Sequence, residues 1–185
     1  MRTLYTLRWL LLLLFVAPAA HAAVIARVLA PAGPHGVGST LAVELRADLD
    51  DPVLGWGLDL AYDPSLLLLT GAPSIGPAWS GFPAPDGDGL AAIALGDGLS
   101  GANVLLATLS FQALGPGTAQ LLLSASLADL TEGFALDPVG FADASFVGAE
   151  IVIVPEPATA LLLLAGLIPL ARYTNSTSRS DTTRR

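Results

Sequence analysis

The chain has no cysteine, no lysine and only two histidines among its 185 residues. Without cysteine there is no disulfide and no thiol nucleophile, so the fold must be held by an apolar core. A zinc site would have to draw most of its ligands from carboxylates, an unusual set for that metal. Cations are scarce where they would matter: between Ala23 and Ile153 only Arg27 and Arg46 stand against fourteen carboxylates, a net charge of −12 with His35 neutral. Nucleic-acid binding rests on Lys and Arg displacing counterions from phosphates, so this surface repels that class of partner. A serine-type triad would have to use His35, in Pro34-His35-Gly36, and no Gly-x-Ser-x-Gly elbow accompanies it.

What abounds is apolar, 53% of the residues, with leucine runs at Leu10–Leu14 and Leu161–Leu164 near the two ends. At the N-terminus, Arg2 and Arg8 precede the apolar stretch Trp9–Val16 and then Ala17-Pro18-Ala19-Ala20-His21-Ala22-Ala23. Basic, apolar and small-residue regions in that order predict a secretory signal peptide over residues 1–22, with cleavage between Ala22 and Ala23. A retained anchor would leave the Ala-rich segment without a purpose.

At the C-terminus, Val154-Pro155-Glu156-Pro157 leads into an apolar run, 158–171, and then a tail, 172–185, carrying Arg172, Arg179, Arg184 and Arg185. The fourteen residues of the run rise about 21 Å as a helix, against roughly 30 Å of hydrocarbon. A span that short suits a transient anchor. The arginines beyond it hold the C-terminus on the cytoplasmic side, leaving residues 23–153 outside. With no polar face and Pro169 inside it, the run makes a poor helix for packing on a domain.

Motif, apolar helix and basic end in this order resemble the PEP-CTERM sorting signal of bacterial exported proteins. The resemblance implies an exosortase as processing partner, cleavage at or near Pro155-Glu156-Pro157, and delivery to the cell surface or extracellular matrix. One departure from the family's compact arginine cluster is visible: six uncharged residues separate Arg172 from Arg179.

Between the ends the pattern turns to period two, the mark of strands with one buried face. Val24, Ala26 and Val28 make a first strand, and a Pro/Gly segment, Pro31–Gly38, follows. Leu41, Val43, Leu45 and Ala47 then point one way while Glu44, Arg46 and Asp48 point the other. Asp50-Asp51-Pro52 predicts a turn, after which Trp56, Leu58, Leu60 and Tyr62 share a face. Asp63-Pro64-Ser65 bends the chain before Leu66–Thr70, because Asp accepts backbone hydrogen bonds and Pro64 fixes φ. Leu90–Leu95 is one strand within a loop-rich middle; Leu105, Ala107, Leu109 and Phe111 alternate in another; and Gly115-Pro116-Gly117 predicts a hairpin into Leu121, Leu123 and Ala125. Val147–Ile153 closes the domain. About eight or nine strands and no internal helix predict an all-β sandwich over 23–153.

Gly38–Val43, Gly55–Leu67 with its Tyr62-Asp63-Pro64-Ser65-Leu66, and Leu106–Phe111 before Gly115-Pro116-Gly117 resemble the cohesin family. That resemblance implies a nine-stranded jelly-roll sandwich and a binding module, since typical cohesins hold dockerin domains on one sheet face. No dockerin is in this chain, so a partner would be another protein or a glycan of the envelope or matrix.

Trp56, Tyr62, Phe111 and Phe146 fit core positions better than a sugar-stacking platform. The sharpest ligand candidate is calcium at Asp86 and Asp88, where Asp-Gly alternation offers hard oxygens on a bending backbone; the distal bidentate Glu of a full calcium loop is missing, and a plain turn explains the pattern. Other carboxylates, Asp50, Asp51, Asp59, Asp63 and Asp97, fall chiefly at turns. The sequence therefore predicts a non-enzymatic, exported module with no cofactor and no resident metal. The alternative is a secreted glycan-acting hydrolase or carbohydrate-binding protein, since a glycosidase needs only two carboxylates across a cleft.

Overall fold

The computed structural model of the protein describes residues 23–80, 90–94, 97–126, 129, 131–156, 162 and 165. Residues 1–22, where a signal peptide is expected, and the basic tail, 172–185, lie outside the described residues, as does the apolar run apart from Leu162 and Ala165, which are helical and exposed. Among the described residues no helix is long and apolar enough to cross a membrane.

Twelve strands make up the described domain: β1 (Ala23–Leu29), β2 (Pro34–Gly36), β3 (Thr40–Tyr62), β4 (Leu67–Leu69), β5 (Ser74–Ile75), β6 (Trp79–Ser80), β7 (Leu90–Ala94), β8 (Leu99–Ala113), β9 (Gly117–Ser124), β10 (Gly133–Leu136), β11 (Asp143–Val147) and β12 (Ala149–Val154). The all-β expectation holds within this domain. The strand count exceeds the eight or nine expected because β2, β5, β6 and β10 are two to four residues long, too short to show a period.

The spine is β3. Its 23 residues would reach roughly 75 Å if straight, whereas a domain the size of residues 23–153 packs to a radius of gyration of about 14 Å. The strand must bend, and it does so at Asp50-Asp51-Pro52. That segment is not the chain-reversing turn predicted from sequence: the ladder to β8 slips between Leu49 and Val53 and then resumes, so the chain bulges and continues. One edge of β3 is covered along its length by β8 and then β7, the other by β1, β10 and β9 in turn. Before the bend, β3 belongs to a sheet ordered β11-β1-β3-β8-β4; after it, β3 lies between β7 and β9, and β9 pairs on to β12 and β2. The inner faces meet in one core that includes Leu45, Leu58, Leu106, Phe111, Leu121, Phe134 and Ile151. Trp56 packs edge-on to Trp79 and Tyr62 edge-on to Phe111, with centroids 6.2 and 5.0 Å apart. Trp56 and Phe111 are buried in the core and Tyr62 and Phe146 are partly buried against it, in line with the expectation for those four; Trp79, also buried, was not anticipated.

Three further expectations are corrected. Gly115-Pro116-Gly117 is no hairpin: β8 already has β3 on one edge and β4 and β5 on the other, so β9 crosses to pair with β12 and the end of β3. Leu106, not Leu105, is buried beside Ala107, because a bulge sets Ala107 opposite Leu45 and Leu105 opposite Arg46. Val147–Ile153 is two strands: β11 pairs in parallel with β1, and after Gly148 the chain joins β9 in the other sheet. A side chain at Gly148 would place its β-carbon 2.6 Å from the Leu121 carbonyl oxygen, so only glycine lets the chain change sheets there.

Candidate functional site

The two sheets present outer faces of different chemistry. On β1–β3–β8, Arg27 pairs with Asp48, and Asp48 also accepts the Asn103 N–H at 2.7 Å. Arg46 donates to Glu44 at 2.7 Å and to the Asn103 carbonyl at 2.8 Å. Asn103 sits in a bulge with φ +57°, a conformation Asn tolerates better than most residues. The Asn103 N–H, outweighing the opposing effect of burial, and then Arg27 hold the Asp48 carboxyl below the usual carboxylate range. Both arginines of residues 23–153 are therefore spent on this face, neutralising their own neighbours.

The outer face of the other sheet carries Thr118, Gln120 and Leu122 on β9, Glu150 and Val152 on β12, and Ile93 on β7. Leu122, Ile93 and Val152 are 55%, 61% and 45% exposed. Gln120 Nε2 donates to Glu150 Oε1 at 2.6 Å. This face is apolar at three points, acidic at Glu150, and carries no arginine; between β7 and β9 the loop before β10 passes over Gly57.

A hollow of about 640 Å³ lies between residues 28–34 and Ala149, Glu150 and Val152, and Glu150 is its one carboxylate. His35 Nε2 donates to the Pro31 carbonyl at 3.2 Å. Among the described residues no three His, Asp or Glu side chains converge in a way that could hold a metal ion. The calcium candidates Asp86 and Asp88 lie outside the described residues.

Asp63 plays the turn role read from sequence: its Oδ1 accepts the Ser65 hydroxyl at 2.6 Å and the Ser65 N–H at 2.8 Å, which lowers its carboxyl below the usual range. Asp129 does the same with Thr131. That turn was not anticipated, although Asp-x-Thr carries the same local signal. Glu132 was also missed; it is 5% exposed and accepts the Ser126 N–H, pinning the loop before β10.

Of the residues expected to form a sorting motif, Val154 ends β12 and Pro155 and Glu156 follow it, both exposed, while Pro157 lies outside the described residues. Ala23 is the first residue of β1, and Ala22 lies outside.

No family model matches the sequence, and no curated protein matches it. Solved structures do match the fold, cohesins among them. The cohesin module from a Clostridium perfringens family 33 glycoside hydrolase superposes with a TM-score of 0.55 at 14% identity, over 71% of this chain and 98% of that one. A non-cellulosomal cohesin from the archaeon Archaeoglobus fulgidus gives 0.52 at 17% identity, over 76% and 96%. A chain of a type II Cohesin-X-Dockerin complex from Acetivibrio cellulolyticus gives 0.52 at 11%, over 71% and 99%. At such identities the likeness is one of fold: the domain is a cohesin-like β-sandwich.

Proposed function

We propose that the protein is an exported, non-enzymatic binding module that recognises a protein of the envelope or matrix through the outer face of β9–β12 and β7. The observation that carries this reading is the contrast in charge between the two faces. One has neutralised itself through Arg27 and Arg46; the other leaves Leu122 and Val152 exposed near Glu150, and Ile93 exposed beyond β3, with no cation on it. Exposed apolar anchors inside a polar rim are the usual composition of a protein-binding patch, and a partner with basic residues around an apolar centre would complement it. The likeness to a chain from a Cohesin-X-Dockerin complex supports a protein partner over a glycan. A hydrolase would need a second carboxylate across the hollow, where Glu150 stands by itself.

The test is a pulldown from the envelope fraction of the producing cell. Leu122→Glu with Val152→Glu should lose the retained protein, and Ile25→Glu on the opposite face should keep it. Equal retention by both variants would remove the assignment of the face.

The ends of the chain belong to the same proposal. A signal peptide ending at Ala22 exports the domain, a PEP-CTERM signal over 154–185 holds it briefly in the membrane, and an exosortase-type protease releases it to the surface. Residues 23–153 are the module in this scheme. Glu156→Ala should leave a membrane-bound precursor ending at Arg185, while the unaltered protein ends near Val154–Pro157 by C-terminal mass spectrometry. A protein ending at Arg185 in both cases would make the tail a simple anchor.

A further inference from the structure

The start of the sorting motif is folded into the domain. Val154 pairs in parallel with Gly36, and its carbonyl accepts the Val37 N–H at 3.1 Å. The same turn is tied on its other side to the end of β8: the Gly38 N–H donates to Ala113 at 2.8 Å, and the Ala113 N–H donates to Ser39 at 2.9 Å. Pro155 has no N–H, so the ladder stops there, and the Glu156 side chain lies back over the turn. Its Cγ is 4.0 Å from where a β-carbon of Gly36 would stand, and its Oε1 is 3.7 Å from that of Gly38. Gly38 has φ +86°, which its turn requires; Gly36 has no such need, and a β-carbon there would meet Glu156 at ordinary van der Waals distance, so only a longer side chain would displace it.

The latch is short. The three residues of β2 are its whole ladder on β12, and the hollow separates the approach to it, Leu29–Gly33, from Glu150 and Val152. A protease that grips an extended peptide needs both sides of the backbone, and here β2 occupies one edge of β12 up to Val154, although Pro155 and Glu156 beyond it are exposed.

We propose that β2 and its turn, Pro34–Ser39, are a latch over the sorting motif, and that β2 must detach from β12 before the motif is processed. This rests on the PEP-CTERM reading of the tail. Pro34 and Val152 are direct partners across the two strands, and both are exposed. Because the natural chain has no cysteine, Pro34→Cys with Val152→Cys can form only one intramolecular disulfide.

The test follows the full chain in the producing cell by pulse labelling and C-terminal mass spectrometry. The oxidised double variant should be processed at least tenfold more slowly than the unaltered chain, with the rate restored by dithiothreitol and each single variant behaving as the unaltered chain. Gly36→Leu, which sets a bulky side chain beneath Glu156 at the position paired with Val154, should be processed faster. Processing of the oxidised variant at the unaltered rate overturns the latch by itself, as does an unchanged rate in Gly36→Leu should the double variant fail to fold. An unaltered chain that still ends at Arg185 overturns the sorting reading, and the latch with it.

Discussion

Residues 40–49 and 53–62 are two lengths of one strand, yet they bury themselves differently. In the first, Leu41, Val43, Leu45, Ala47 and Leu49 are buried while the residues between them face outward, half-buried or exposed. In the second, Gly55, Trp56, Gly57 and Leu58 are buried in succession. The first length has water over its outer face. The second is roofed: the Ile93 side chain approaches Gly55, and the loop before β10 passes so close to Gly57 that an added β-carbon would lie 1.9 Å from the Thr131 carbonyl oxygen. Glu132, accepting the Ser126 N–H, and Asp129, holding Thr131, keep that roof in place. Alternation of apolar and polar residues therefore reports how many faces of a strand are covered, and glycine takes the outward positions where the second cover is backbone.

The largest effect should come from the inner positions, where the two lengths are alike. Leu45 and Leu58 are both fully buried, and a lone charge at either site costs an amount comparable to roughly 5–15 kcal/mol, the stability of a whole domain. Leu45→Asp and Leu58→Asp should each abolish cooperative unfolding. A variant of either kind with an unchanged melting temperature would break the shared core.

The outer positions should separate the lengths. Gly57→Ala meets main-chain atoms that cannot step aside, and should cost about 3 kcal/mol in denaturant unfolding, the upper range for overpacking. Ala42→Val, on the open face of the first length, should stay within about 0.5 kcal/mol. Equal costs at the two sites would mean that the roof yields freely.

The smallest effect concerns acid. Asp48 on the first length and Asp129 in the roof both have carboxyls lowered below the usual range, Asp48 chiefly by the Asn103 N–H and Asp129 chiefly by the Thr131 hydroxyl. A depressed folded value means that each stabilises the protein above about pH 4, and that this contribution is lost as pH falls through the folded value. Asp48→Asn and Asp129→Asn should each flatten the acid limb of melting temperature against pH by lowering its neutral value slightly, with little change at the acid end. Local exchange near Gly57 should rise for Asp129→Asn only.

Much of the first length could be read from sequence because its cause is local: one face is wet, so every second residue is polar. The same holds for Asp63-Pro64-Ser65, where Asp63 closes on a residue two places away, at 2.8 Å to the Ser65 N–H. Gly57 gave no such sign, since what covers it comes from Thr131, far along the chain. The two outer faces were equally out of reach: Arg27 and Arg46 are visible as the domain's two arginines, but not as neighbours on one sheet with Asp48 and Glu44 between them.

By itself, then, the sequence determined the period-two strands, the all-β class, the charge of the domain and the order of segments at its ends. These depend on residue type and on contacts within a few positions. Tertiary structure alone decided that Asp50-Asp51-Pro52 bends one strand and does not end it, that β9 leaves β8, that Gly148 carries the chain from one sheet to the other, and that Glu156 rests on Gly36 and Gly38. A strand pairs where an edge is free and packs where space is left, and both are properties of the assembled fold.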